Sequence, residues 1–176
     1  MSSWKQAVQA QLLFTQNQLL EAQKLQLEGG SKLQRKQCLN SVILGMRELW
    51  QCWLNEWAVL LQPKGKQDRV KSWSEFLRFH VGCPTVEQMV AEVKRADSWA
   101  KGFLELESLV AYDWLDKLVE LESEGSEELF DARDALSIVQ VDIRPCSVLN
   151  GPSDIERMLT ELKLQIEQVR EQHSEW

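Results

Sequence analysis

Between Lys32 and Gln62 the apolar side chains fall at Leu39, Ile43, Met46, Trp50, Trp53, Trp57 and Leu60, in alternating steps of four and three residues. An α-helix gathers such a series onto one face, and a seam that keeps this spacing calls for a partner helix along its whole length. The chain is thereby committed to helix-on-helix packing. Three indoles within about two turns raise a sharper question: they could form a ligand cage, a partner-binding stripe or part of the core. A cage needs rings converging from different elements, whereas Trp50, Trp53 and Trp57 stand in line on one and continue a stripe begun by aliphatic residues. Core packing is the favoured reading; the three become a partner surface if they prove exposed together.

The flanking segments extend the helical pattern. From Ser3 to Glu28 the chain is rich in Ala, Leu, Gln, Glu and Lys with neither Gly nor Pro, which predicts a helix over 3–28. Its apolar residues occupy two flanks, Val8, Leu12 and Leu19 on one and Leu13, Leu20 and Leu27 on the other, so contact with more than one neighbour is expected. Gly29-Gly30 ends it, Ser31 can cap the next, and Pro63 closes the helix predicted over 32–62. So short a connection predicts a long antiparallel hairpin.

Further on, VKSWSEFLRFH predicts a short amphipathic helix over 70–80. Thr85 with Gln88 has the form of a capping box, opening a helix over 86–124 with a bend near 97, where Asp97 or Ser98 could cap a new start. A short helix over 126–136 follows. Residues 137–152 differ in kind: Val139, Val141 and Ile143 alternate with Gln140, Asp142 and Arg144, a period of two. With no second strand in view, this segment reads as an extended strap across the bundle, or as a strand that pairs with a partner or with its own copy. Ser153 with Glu156 forms a second capping box, and Ile155, Leu159, Leu162, Ile166, Val169, His173 and Trp176 carry the four-three pattern through a last helix over 153–175. The expected fold is a single all-α domain over 1–176: a helical bundle built on the long hairpin, with the strap before a C-terminal helix that closes it.

Composition narrows the functions open to such a bundle. The net charge of −7 opposes a general affinity for nucleic acid, because phosphate binding needs clustered Lys and Arg. The basic cluster Lys64, Lys66, Arg69 and Lys71 adjoins Trp57 and Trp73, and could touch an anionic bilayer surface or a single-stranded nucleic acid. Against that, Glu75 and the acidic total dilute its field. Cys38, Cys52, Cys83 and Cys146 are scattered without a C-x-x-C pair, so free thiols are expected rather than a zinc site. The N-terminal MSSWKQAVQAQLLFTQ lacks the pattern of a signal peptide, and no apolar run approaches the length of about 20 residues that spans a bilayer. A cytoplasmic location is expected, with contact at the membrane surface the most a bilayer would receive.

The chemistry that helical bundles support is absent from the motifs. Di-iron bundles need Glu-x-x-His on two helices, yet neither His80 nor His173 has Glu at the third position before it. The Arg–His spacing of HEPN-type helical ribonucleases is missing, as are G-x-S-x-G, the P-loop and G-x-G-x-x-G. No catalytic residue, cofactor or metal is expected. His80 beside a helix end and His173 on an apolar stripe both read as structural.

Taken together, Gln11-Leu12-Leu13-Phe14, LNSVILGMRELW, ELESLVAYDWLDKLVEL, ALSIVQVD and the closing R-E-x-x-S-E-W of Arg170 to Trp176 resemble a gammaproteobacterial family of short all-helical proteins known as a domain of unknown function. Gln9-Ala10 stands where that family carries Asn-Gln. The resemblance implies the architecture and a bacterial source, and it supplies no catalytic residue, cofactor or partner. The function expected is a non-enzymatic protein–protein interaction or structural role, including self-association. The alternatives are a peripheral membrane or nucleic-acid role for 63–73, and an enzyme whose pocket is assembled from distant residues.

Overall fold

The structure, a computed structural model, describes residues 3–62, 69–108 and 152–174. These residues form six helices that pack together: α1 (Ser3–Leu27), α2 (Lys32–Leu61), α3 (Trp73–His80), α4 (Pro84–Val93), α5 (Trp99–Ser108) and α6 (Pro152–Ser174). The expected helix over 126–136 and the strap over 137–152 lie outside the described residues, apart from Pro152, which opens α6.

The turn between α1 and α2 is fixed by local chemistry. Gly30 N–H donates to Leu25 O at 2.9 Å while Gly29 sits at φ +75, the left-handed closure that glycine adopts without steric cost. Ser31 Oγ then accepts from Gln34 N at 3.2 Å, and Gln34 Oε1 accepts from Ser31 N at 3.0 Å, so two of the open backbone donors at the start of α2 are satisfied. Along the two helices Cys38 Sγ donates to Gln18 O at 3.3 Å, and Gln11 Nε2 donates to Gly45 O at 3.2 Å. Residues late in α1 thus meet residues early in α2, and the reverse.

Three starts differ from the sequence expectation, those of α3, α4 and α6. The helix expected from Val70 begins at Trp73, because Val70 is held by α2: its N–H donates to Asn55 Oδ1 at 2.9 Å and its carbonyl accepts from Asn55 Nδ2 at 2.9 Å and from Gln51 Nε2. Thr85 is not a cap. The helix opens earlier, with Pro84 in its first turn and Cys83 as N-cap, and Thr85 Oγ1 lies 3.2 Å from Cys83 Sγ. The helix expected over 86–124 with a bend near 97 is divided there, with Ser98 as the cap of a new start: α4 ends at Val93, and buried Ser98 restarts the chain as α5 by accepting from Ala100 N at 3.1 Å, while residues 109–124 lie outside the described ones. The last helix likewise begins at Pro152, which places Ser153 inside its first turn.

α6 lies along both members of the first pair. Gln23 Nε2 on α1 donates to Glu156 at 3.3 Å near its start, and Arg170 near its end meets Glu56 on α2 at 2.8 Å. Along this length Ile155, Met158, Leu159, Leu162, Ile166 and Val169 are buried, as the four-three spacing requires of a helix with neighbours on one side. The core is continuous, joining these to Val42, Met46, Leu49, Trp50, Trp53 and Leu54 of α2 and to Phe76, Phe103 and Leu106.

Candidate functional site

Trp50, Trp53 and Trp57 are each at most 1% exposed. They form part of an aromatic cluster assembled from α2, α3 and α5. Trp50 stacks on Phe103 with centroids 5.3 Å apart, Trp53 on Trp57 at 5.6 Å, and Phe76 reaches Trp57 at 4.9 Å and Trp73 at 5.5 Å. The rings fill one another's faces, so the partner-surface alternative for these three residues is corrected: α3 and α5 cover the seam together with α6. One carboxylate organises the cluster. Glu107 of α5 accepts Trp50 Nε1–H at 2.9 Å and the backbone N–H of Trp73 at 2.8 Å, tying α2 to the start of α3. Nothing in the local pattern around Glu107 pointed to this role; it arises from α5 crossing the N-terminus of α3. Trp53 Nε1 and Trp57 Nε1 are buried with no hydrogen-bond partner among the described residues.

The basic segment fares differently from its expectation. Lys64 and Lys66 lie outside the described residues. Trp73 is 8% exposed and packed in the core, so its indole is not available to a bilayer or a base; Ser72 caps α3 and turns the ring inward. Arg69 is exposed with its guanidinium 5.9 Å from the Trp4 ring, and Lys71 is exposed with its backbone N–H donated to Glu75 at 2.7 Å. Val139, Val141 and Ile143 also lie outside the described residues.

Groups capable of chemistry are dispersed. His80 is buried against Phe76 with centroids 4.7 Å apart, and burial pushes its pKa below the ordinary imidazole value. Burial raises the Cys38 thiol, with Glu21 adding to the effect, and it raises Cys52, where Glu48 adds and Arg69 opposes. No group of three His, Cys, Asp or Glu among the described residues could hold a metal ion. An open cleft of about 290 Å³ is lined by Glu92, Arg95, Asp97, Trp99, Arg157 and Glu161. Of these lining residues Arg95 pairs with Glu92 at 2.9 Å, and Arg157 pairs at 3.6 Å with Asp154, one turn before it on α6. Its cations are therefore already engaged by carboxylates.

The feature that stands out is on the far side of α1. Val8, Thr15, Leu19 and Ala22 are buried toward the bundle, whereas Leu13, Leu20 and Leu27 are 60%, 62% and 87% exposed, with Phe14 beside them at 49%. α1 meets more than one neighbour, α2 and α6, as expected, yet the flank of Leu13, Leu20 and Leu27 faces outward from the described helices. No described helix is long and apolar enough to cross a membrane. Comparisons with protein-family models, with curated proteins and with solved structures found no match.

Proposed function

We propose that the protein acts without catalysis, as a protein–protein interaction or structural element, and that its contact surface is the outer face of α1. The observation that carries this is the exposed line Leu13, Leu20 and Leu27, three large apolar side chains at seven-residue spacing on one helix. Single exposed leucines are ordinary, but a line repeating with the period of a helix–helix seam is the form in which a partner helix is received. The pairings of Gln11 with Gly45 and of Gln18 with Cys38 support a long antiparallel hairpin as the scaffold that holds this face rigid. The strap expected at 137–152 carries none of this reading. The bacterial, cytoplasmic setting expected from the sequence belongs to the same proposal.

Leu20→Glu tests it, because the residue is exposed and the substitution leaves the core untouched. With wild type and variant as baits in affinity capture followed by quantitative mass spectrometry, a protein retained by wild type and lost from a folded variant supports the reading. Identical recoveries from both baits overturn it.

A further inference from the structure

The same face has a finer pattern than its leucines. Gln6, Ala10, Leu13, Asn17, Leu20, Lys24 and Leu27 are all exposed, and they again alternate in steps of four and three. In heptad terms Leu13, Leu20 and Leu27 occupy one seam position on successive repeats, and Ala10, Asn17 and Lys24 the other. α1 therefore carries two seams, one filled by α2 and α6 and one left open by the described helices.

We infer that the open seam pairs with the same seam of a second copy, as a parallel two-stranded coiled coil about a two-fold axis. The inference rests on the reading of this face as the contact surface and names the occupant. Three features of the seam select a copy of itself. Leucine on every heptad stacks on its own equivalent in a parallel pair, and an isologous contact needs one surface to complement itself. Asn17, flanked by Leu13 and Leu20, meets the partner's Asn17 in that register, where two amides satisfy each other; opposite a leucine the amide would lose that partner. Lys24 lies between Glu21 and Glu28, both exposed on the same face, so the two ammonium groups brought together near the end of the seam are surrounded by four carboxylates. The size fits a reversible pair. A seam of about 32 Å by about 10–12 Å on each copy falls in the class of contacts below about 1,200 Å² in total, which are weak and transient.

Sedimentation equilibrium of the full chain between about 1 and about 200 μM, spanning the micromolar range expected of such a contact, tests this directly. Wild type is expected to pass reversibly from monomer to dimer, Leu20→Glu to weaken that association at least about tenfold while keeping the wild-type circular dichroism, and Asn17→Cys to form an oxidised dimer that the double variant Asn17→Cys/Leu20→Glu does not. A wild-type chain that stays monomeric throughout overturns the self-pairing while leaving the broader reading of the face to the capture experiment. A dimer indifferent to Leu20→Glu, or one in which Asn17→Cys fails to cross-link, also overturns it.

Discussion

Arg170 grips Glu56 with both arms of its guanidinium, Nε to one carboxylate oxygen at 2.8 Å and Nη2 to the other at 2.8 Å, and Glu56 is 2% exposed. The pair joins the end of α6 to the middle of the aromatic stretch of α2. A carboxylate so buried is tolerated because the fork satisfies both oxygens; without it the charge loses the counter-ion it has among the described residues. Arg170→Ala is expected to cost about 3–5 kcal/mol, whereas Glu56→Leu with Arg170→Met, which leaves no charge behind, is expected to cost much less. Urea unfolding of the three chains measures both, and a double variant as damaged as the single one would contradict the account.

Gly45 of α2 lies directly against Thr15 of α1. A methyl group there would lie 2.7 Å from Thr15 Oγ1 and 3.4 Å from its Cβ and Cγ2, and Thr15 is fully buried with its hydroxyl donated to Gln11 O at 2.8 Å. Gly45→Ala is therefore expected to destabilise by about 1–3 kcal/mol, despite the gain of up to about 1 kcal/mol that alanine has over glycine within a helix. Thr15→Ala makes room for the methyl group. A double-mutant cycle should show that Gly45→Ala becomes neutral or stabilising in the Thr15→Ala background, and simple additivity would mean that the helices separate freely at this point.

His80 predicts a pH dependence with a definite sign. Burial against Phe76 lowers its pKa in the folded state, so the unfolded chain takes up the proton first as the solution is acidified. Its contribution to stability is intact above the ordinary imidazole pKa of about 6.5 and declines as pH falls below that toward the folded value. His80→Phe keeps an aromatic ring on Phe76 and removes the proton site. Thermal midpoints measured between pH 5 and 7.5 should fall with acid more steeply for wild type than for the variant, and parallel curves would exclude His80 as the source.

Much of the packing was legible because periodicity reports burial. The stripes of α2 and α6 are apolar at the spacing that a helical neighbour demands; Met46, Trp50, Trp53 and Trp57 of the first and Ile155 to Val169 of the second are buried, while Leu39, Ile43 and Leu60 are partly buried. Ser31 and Ser98 were legible for a local reason, since a side-chain cap needs only its own next few residues. The misplaced start of α3 came from contacts distant in sequence, whereas that of α4 follows from a local feature, Pro84 in the first turn. No local rule tells Val70 that Asn55 will hold its N–H and carbonyl, or that Glu107 will receive the N–H of Trp73. The open seam on α1 was half legible: Leu13, Leu20 and Leu27 were evident as a flank, but whether a flank is covered depends on where the other helices run. Asn17 and Lys24, set among those leucines in the second heptad position, were the available sign that this seam differs from a core one.

The three tryptophans of α2, equally buried, should respond unequally to substitution. Trp50→Phe removes the donor to Glu107, a hydrogen bond to a charged acceptor of the kind that contributes about 1.5–3 kcal/mol, and leaves the carboxylate with Trp73 N–H as its described partner. Trp53→Phe and Trp57→Phe instead delete indole N–H groups that have no acceptor among the described residues, which relieves a desolvation cost of about 1–3 kcal/mol and offsets part of the cavity each leaves. All three substitutions remove similar volume from one stacked cluster, so packing losses largely cancel in the comparison. Trp50→Phe is expected to be the most destabilising by about 1.5–3 kcal/mol in urea unfolding followed by circular dichroism, which does not depend on which indole remains to fluoresce. Were Trp50→Phe the mildest of the three, the bond to Glu107 would contribute nothing net, and α3 would owe its position to ring packing alone.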